Sequence, residues 1–368
     1  MADQDKGKTE VRAQPDASRQ TLRQPSIKDI ARLARVSHPT VSRALQNSPL
    51  VNVKTAENIR RIAKEAGYRP SAVARGLVNR RTRTIGLVVT TIADPFTSEV
   101  VSGIEPTAND HGYCVFLADS NADPDREKKI VQSFAEQRVD GIIVTSSRVG
   151  ALYLPLFSEM QVPIVLVNDQ HPGAFVHSVM ISNQEGSRMV AGHLVDLGHR
   201  RIAYIGDQFG YQSDTERFAG YRGALDAARI PFVPELAVHG DGKPEAALRA
   251  MDRLLALATP PTAVCCYNDM TALGAMRSIR MHGLRVPEDI SVAGFDDLFL
   301  ASYTQPPLTT VRQPMRLMGQ LAMENLIKLM TGQVSVVRIK VKPELIVRES
   351  TARVSKSKSA IQKPKRRL

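Results

Sequence analysis

Two hydrophobic periods divide this chain. In residues 26–45, SIKDIARLARVSHPTVSRAL, the residues Ile27, Ile30, Ala31 and Ala34 recur at helical spacing and give one apolar face. Ser26 with Asp29 three residues later makes a start like a capping box, with Asp in place of the longer Glu. Ser37 can cap a second helix, in whose first turn Pro39 removes no helical hydrogen bond. Ala31 leaves room for two helices to cross steeply beside a three-residue turn. The pattern predicts a helix-turn-helix, whose second helix enters a DNA major groove. Asn52 can cap a third helix over residues 53–66, with Ile59, Ile62, Ala63 and Ala66 inward and Gly67 as its stop. Residues 70–79 read as a short helical segment opened by Pro70 and weakened by Gly76, too short to be stable alone.

From residue 84 the period changes. TIGLVV, YCVFLA, GIIVTS, PIVLVN, RIAYIG, TAVCCYN and ISVAGFD read as buried strands, with helical stretches such as SEVVSGIEPTANDHG and RFAGYRGALDAARI between them. This alternation predicts parallel sheets covered by helices on both faces. Ligands of such sheets sit at the carboxyl ends of the strands. The loops there are DPFTS, TSSR, NDQH, GDQFGYQSDTER, YNDM and FDD. Their carboxylates, amides, aromatic rings and arginines suit a polyhydroxylated ligand. For any one of these residues, a turn or capping role is an equal explanation.

Charge sharpens the picture. The net charge is +12, but it sits at the ends: residues 1–83 hold 18 Lys and Arg against 7 Asp and Glu, and residues 351–368 hold 7 against none. Residues 84–350 hold 24 against 30. A basic head on a slightly acidic body fits a phosphate-binding module joined to a domain with other work. A length of 368 residues predicts two or three domains. The longest apolar runs are too short to span a bilayer, and the polar start carries no signal-peptide core, so a cytoplasmic protein is expected. Cys114, Cys265 and Cys266 form neither a disulfide framework nor a zinc spacing. The eight histidines are scattered, and there is no phosphate loop and no GxSxG elbow. Neither a catalytic centre, a metal site nor a cofactor is expected.

VSHPTVSRAL, YRPSAVARGL and RTRTIGLVV, then GHRRIAYIG (198–206), RFAGYRGAL (217–225), NDMTALGAMRSI (268–279), VPEDISVAGFDD (286–297) and PPLTTVRQP (306–314), resemble the LacI/GalR family of bacterial transcription regulators. The resemblance covers about residues 25–350, in order. It implies an all-α helix-turn-helix headpiece with a hinge helix, and an α/β body of two Rossmann-like lobes like the periplasmic sugar-binding proteins. The implied division is an extension at 1–24, the headpiece at 25–69, the hinge at 70–83, the effector and dimerisation domain at 84–350 and a disordered basic tail at 351–368. One lobe would comprise 84–181 with 312–341, the other 182–311 with 342–350.

Arg43, six residues beyond the Ser37 cap, is expected to read a base edge, with His38 as a second reader. Thr40 and Ser42 are expected on phosphates, and Pro39 shapes the helix entry. The resemblance makes Leu77 a minor-groove wedge, with Ala74 beside it in the hinge. It also implies an effector pocket of Asp94, Phe96, Asn168, Arg217, Asn268 and Asp296, with Arg217 gripping effector oxygens. Thr97 stands where purine-sensing relatives carry a second aromatic residue, which disfavours a purine. The tail lacks the leucine heptads of tetrameric relatives, so a homodimer is expected. The reading is a ligand-responsive repressor of a pseudo-palindromic operator, with a carbohydrate effector. A sugar-binding transport protein is the first rival and a doubly wound enzyme the second; the basic headpiece disfavours one and the missing catalytic set the other.

Overall fold

The computed structural model describes residues 25–69, 81–153, 162–171, 177–333 and 336–354. The hinge residues Ala74 and Leu77 fall outside these, as do residues 1–24 and 355–368. The chain divides into two compact units, residues 1–80 and 81–368.

In the first unit, α1 (Ile27–Leu33), α2 (His38–Leu45) and α3 (Val53–Glu65) surround Ile30, Ala31, Val41, Ala44, Ala56, Ile59 and Ala63. The short Asp29 completes both arms of the capping box: Ser26 Oγ accepts from the Asp29 N–H, and the Ser26 N–H donates to Asp29 Oδ2 at 2.9 Å. Arg35 takes a left-handed conformation (φ 52°) in the turn, where the Val36 N–H reaches the Ala31 carbonyl at 3.0 Å. Gly67 (φ 66°) closes α3, as the Tyr68 N–H donates to the Ala63 carbonyl at 2.8 Å.

The second unit carries two parallel sheets. The first, in the order β11-β5-β4-β3-β1-β2, comprises β1 (Thr84–Val89), β2 (Cys114–Asp119), β3 (Gly141–Thr145), β4 (Ile164–Val167), β5 (His177–Ile181) and β11 (Val337–Val341). The second, β7-β6-β8-β9, comprises β6 (Ile202–Asp207), β7 (Ala237–Gly240), β8 (Ala263–Cys266) and β9 (Ser291–Ala293). An antiparallel ribbon of β10 (Thr310–Arg312) and β12 (Glu344–Ile346) carries the returning chain. Sheet one is flanked by α4 (Pro95–Asp110), α5 (Pro124–Glu136) and α10 (Met315–Met330). Sheet two is flanked by α6 (Asn183–Asp196), α7 (Gln212–Ala227), α8 (Pro244–Leu255) and α9 (Asp269–Met281).

The strand expected in YCVFLA is not buried. As β2 it is the edge of sheet one, paired only with β1, and Phe116 and Leu117 are 48% and 41% exposed. Apolar content alone cannot separate an edge from a centre, because the difference lies in what covers the strand. Where helices cross closely, glycine sets the distance: a Cβ on Gly319 of α10 would lie 2.1 Å from the Val100 carbonyl oxygen of α4. No helix among the described residues is long and apolar enough to cross a membrane.

Candidate DNA-reading face and effector cleft

Val41 and Ala44 pin α2 to the small core, so the opposite face is free. His38, Pro39 and Arg43 are exposed there, with Thr40 and Ser42 half-buried. The Arg43 side chain has no hydrogen-bond or ion-pair partner among the described residues, so its guanidinium fork is available. Thr40 is less free, since its hydroxyl lies 2.8 Å from Ser37 Oγ, which also caps α2 by accepting from the Thr40 N–H. The first turn of α2 holds no acidic residue, so the helix presents N–H groups and positive potential outward. Arg60 of α3 braces the far end through Asn47 Oδ1 at 2.7 Å.

In the second unit, loops at the carboxyl ends of both sheets meet. Gln170, after β4, accepts at Oε1 from Ser213 Oγ at 2.7 Å, and its carbonyl takes the Gln212 N–H at 3.2 Å. Arg148, after β3, lies 5.1 Å from the Tyr211 ring centroid and 5.7 Å from that of Phe209, both after β6. Arg148 is held from behind. Its backbone N–H donates to Glu127 Oε2 at 3.3 Å, and buried Glu127 also accepts from Ser147 Oγ at 2.6 Å and from the Tyr153 hydroxyl. The cleft is therefore closed by side chains from both lobes.

The six expected effector residues have unequal freedom. Arg217, on α7, is buried: Nε donates to Asn183 Oδ1 at 3.0 Å and Nη1 to the Tyr267 carbonyl at 2.6 Å. Its guanidinium carbon lies 3.7 Å from the Phe295 ring centroid, and Nη1 is 3.9 Å from Asp296 Oδ1. Nη2 keeps no partner among the described residues, so one edge of the fork is left for a ligand. Asp296 takes φ 128° and accepts from Gln313 Nε2 at 2.6 Å. Burial outweighs Arg217 and Gln313 and pushes its carboxyl up to about 7, with the Asp94 charge adding to the rise. Asp94 of the first lobe therefore stands within electrostatic reach of Asp296 of the second. It is half-buried, caps α4 by accepting the Phe96 N–H at 3.0 Å, and is itself raised by burial.

Asn168 is buried in a left-handed conformation (φ 55°), and its Oδ1 has no partner among the described residues. Asn268 is committed to architecture, capping α9 through the Thr271 N–H at 2.8 Å while its Nδ2 donates to the Gly242 carbonyl. Phe96 is buried in the main core, so the aromatic rings at the cleft are Phe209, Tyr211 and Tyr267. The buried acceptors Asn168 Oδ1, Asp207 Oδ2 and Gln313 Oε1 all lack a donor among the described residues. Asp207 and Asp169 are pushed up to about 7, chiefly by burial. Such a cleft can hold a neutral ligand rich in O–H or N–H donors, and it would repel an anion everywhere except at the arginines.

Sequence reasoning missed Arg148, Gln170, Ser213 and Tyr267 as individual site residues. Arg148 had a signal, an arginine in a strand-end loop. Gln170 had the same kind of signal, an amide in the loop NDQH, but its bridging role exists only when the lobes close.

Residues 26–71 match the family described as "Bacterial regulatory proteins, lacI family", and residues 191–351 match the "Periplasmic binding protein-like domain". The HTH-type transcriptional repressor PurR of Aliivibrio fischeri is 36% identical over 331 residues, covering 89% of this chain and 98% of that protein. The chain belongs to the LacI family of bacterial regulatory proteins. The PurR repressor of Haemophilus influenzae is 34% identical over 329 residues, covering 88% of this chain and 98% of its own. Among solved structures, the lac repressor dimer bound to operator and the anti-inducer ONPF matches with a TM-score of 0.81 at 30% identity, covering 89% of this chain and 99% of that one. The CelR–cellobiose complex matches with a TM-score of 0.68 at 34% identity over the same shares. This LacI-family chain is thus a DNA-binding transcriptional regulator under effector control, with a helix-turn-helix unit and a two-lobed α/β body.

Proposed function

We propose that this regulator is a repressor that occupies a pseudo-palindromic operator as a homodimer and answers to a neutral carbohydrate. The observation that carries the effector class is that three buried acceptors at the carboxyl ends of strands, Asn168 Oδ1, Asp207 Oδ2 and Gln313 Oε1, have no donor among the described residues, while Arg217 keeps one edge of its fork available. Sugar hydroxyls supply the missing donors, and Tyr211 or Phe209 supplies a ring face for the sugar's C–H side. Relatives of this fold have been captured with cellobiose and with ribose, in keeping with that chemistry. In this reading Asp94, Asn168, Arg217 and Asp296 touch the effector, Phe96 and Asn268 hold the walls, and Arg148 and Gln170 bridge the lobes. Arg43 and His38 read bases, while Thr40 and Ser42 take phosphates through a face that Ser37 and Pro39 shape. Ala74 and Leu77 keep their place as hinge contacts.

The exposed edge β2, with Phe116 and Leu117, offers a surface for the second copy. The repressor relatives support a regulatory, non-enzymatic protein acting on chromosomal DNA in the cytoplasm. A thermal-shift screen of neutral sugars, sugar acids, sugar phosphates and purines tests the effector class, because a ligand of the native state raises Tm by mass action. Neutral sugars should stabilise the protein and change its operator affinity. Stabilisation by phosphates or purines alone would refute the reading.

A further inference from the structure

The chain crosses between the lobes three times, and each crossing is bonded to Arg217, Asp296 or Asp297. The first runs from β5 into α6, where Arg217 Nε donates to Asn183 Oδ1 at 3.0 Å. The second leaves β10 through Gln313, whose Nε2 donates to Asp296 Oδ1 at 2.6 Å and whose N–H donates to the Asp296 carbonyl at 3.1 Å. The third returns along β12, paired with β10 so that Glu344 stands opposite Arg312. Asp297 sits where the last two meet, with its side chain only 8% exposed. Its Oδ2 accepts from Arg312 Nε at 2.7 Å and its Oδ1 from Arg348 Nη2 at 2.6 Å. Arg312 also reaches Glu344 Oε2 at 2.9 Å, and Arg348 reaches the Leu308 carbonyl at 2.8 Å. The backbone under these bonds is unusual. Asp296 takes φ 128° and Asp297 φ 57°, values that side-chain-bearing residues keep only where their surroundings over-determine them. Both flanks are pinned accordingly: the Asp296 N–H donates to the Val311 carbonyl at 2.8 Å, and the Leu298 N–H to buried Asp269 Oδ2 at 2.8 Å.

We infer that Asp297 is the positioning residue that couples the effector cleft to the lobe crossings: it ties the loop after β9 to both later crossings and holds its neighbour Asp296 in the strained conformation presented to the effector. The inference rests on the reading that Asp296 touches the effector. Asp297 itself has both carboxylate oxygens committed to arginines, so its part is mechanical. A ligand pulling on Asp296 moves a peptide that Asp297 shares, and Asp297 cannot follow without shifting Arg312 and Arg348. Charge-assisted bonds of 2.6 and 2.7 Å on a nearly buried carboxylate are stiff enough to pass that movement on, where a solvated surface pair would absorb it. The strain at Asp296 and Asp297 is stored by the same bonds, so releasing them relaxes the loop and frees the lobes together.

The test needs no effector. Hydrogen–deuterium exchange of the full chain, read by mass spectrometry, compares the wild type with Asp297→Asn and with Arg312→Gln. Asparagine keeps the shape and tolerates the left-handed backbone, so Asp297→Asn removes only the charge. Arg312 is half-exposed, so its loss leaves the fold standing if the first variant is too unstable to read. The reporters are the Gln212 and Ser213 N–H groups, which donate across the cleft to the Gln170 carbonyl and to Gln170 Oε1 at 3.2 Å each. Neither reporter touches Asp297, so only movement of the lobes can expose them. Their exchange should rise on the order of 10-fold in Asp297→Asn, and about 2- to 5-fold in Arg312→Gln, where the lost pair is partly solvated. Both rises should exceed that at Leu87 and Tyr204 in the central strands β1 and β6. A rise confined to residues 296–298 and 310–313, or one spread equally over the core strands, would make Asp297 a purely structural residue and overturn the inference. Thermal shifts of the wild type with neutral sugars, run beside it, keep the two readings apart. Their absence refutes the carbohydrate effector, whereas unchanged exchange at Gln212 and Ser213 refutes only the coupling.

Discussion

Arg148→Ala should loosen the cleft without touching the ligand-gripping groups. The guanidinium of Arg148 stands 5.1 Å from the Tyr211 centroid and 5.7 Å from that of Phe209, and these rings belong to the opposite lobe. Its bond to the Ala122 carbonyl, 3.1 Å, stays within its own lobe and cancels between open and closed forms. Besides the attraction of Arg148 to the Asp207 carboxylate of the opposite lobe, the difference between the forms is therefore two cation–π contacts. The site is half-exposed and Phe209 is 48% exposed, so each is worth about 0.5–1 kcal/mol. Losing about 1–2 kcal/mol shifts the closed-to-open ratio roughly 5- to 30-fold toward open. An effector that binds the closed lobes should lose affinity by up to the same factor, while Arg148→Lys, which keeps a cation, loses less. Titration calorimetry reads the affinity, and small-angle X-ray scattering of effector-free protein reads the opening. Adding Gln170→Ala should deepen the effect, because Gln170 bridges the same gap by separate hydrogen bonds to Ser213. Effector affinity and scattering both unchanged in Arg148→Ala would show that the arginine decorates the cleft and does not latch it.

Arg43→Ala should cost about 1–3 kcal/mol on operator and relax preference at one base position per half-site; equal weakening on every duplex would make Arg43 a phosphate contact. Asp296→Asn tests the raised carboxyl. The folded value of about 7 lies above the unfolded 3.8, so the folded state favours the protonated form and the wild type loses stability as pH rises from about 4 to about 7. The variant's stability relative to wild type should therefore climb across that window and level off above it; a difference flat from pH 4 to 8 refutes the assignment. Gly319→Ala would place Cβ 2.1 Å from the Val100 carbonyl oxygen, and the backbone there cannot swing aside. The helices α4 and α10 must separate, so a net loss of about 1–3 kcal/mol is expected, even after alanine's helix preference of roughly 1 kcal/mol. An unchanged melting temperature would refute it.

The sequence alone carried much of what depends on neighbours a few residues apart. Ser26, Asp29, Ser37 and Asn52 announced three helix starts, because a capping side chain bonds its own next turn. The Val- and Ile-rich runs announced the central strands β1, β3, β4, β6 and β8, because a strand covered on both faces has no polar side to show. Other elements were not legible. β5, β7, β10, β11 and β12 are short or alternating and owe their strand form to a partner, as β11 does in pairing with β5 across 160 residues of chain between Val337 and His177. β2 looked like a core strand and is an edge. Of the cleft, residue types and loops could be read, but not which groups were already spent. Asn268 and Arg217 look equally polar in the sequence, yet the first is consumed by a cap and a loop while the second keeps one edge free. The raised carboxyls of Asp169, Asp207 and Asp296 and the Arg148–Gln170 bridge belong to tertiary structure alone. Desolvation and lobe closure depend on which surfaces meet, and no local pattern in the chain encodes a distance between residues so far apart.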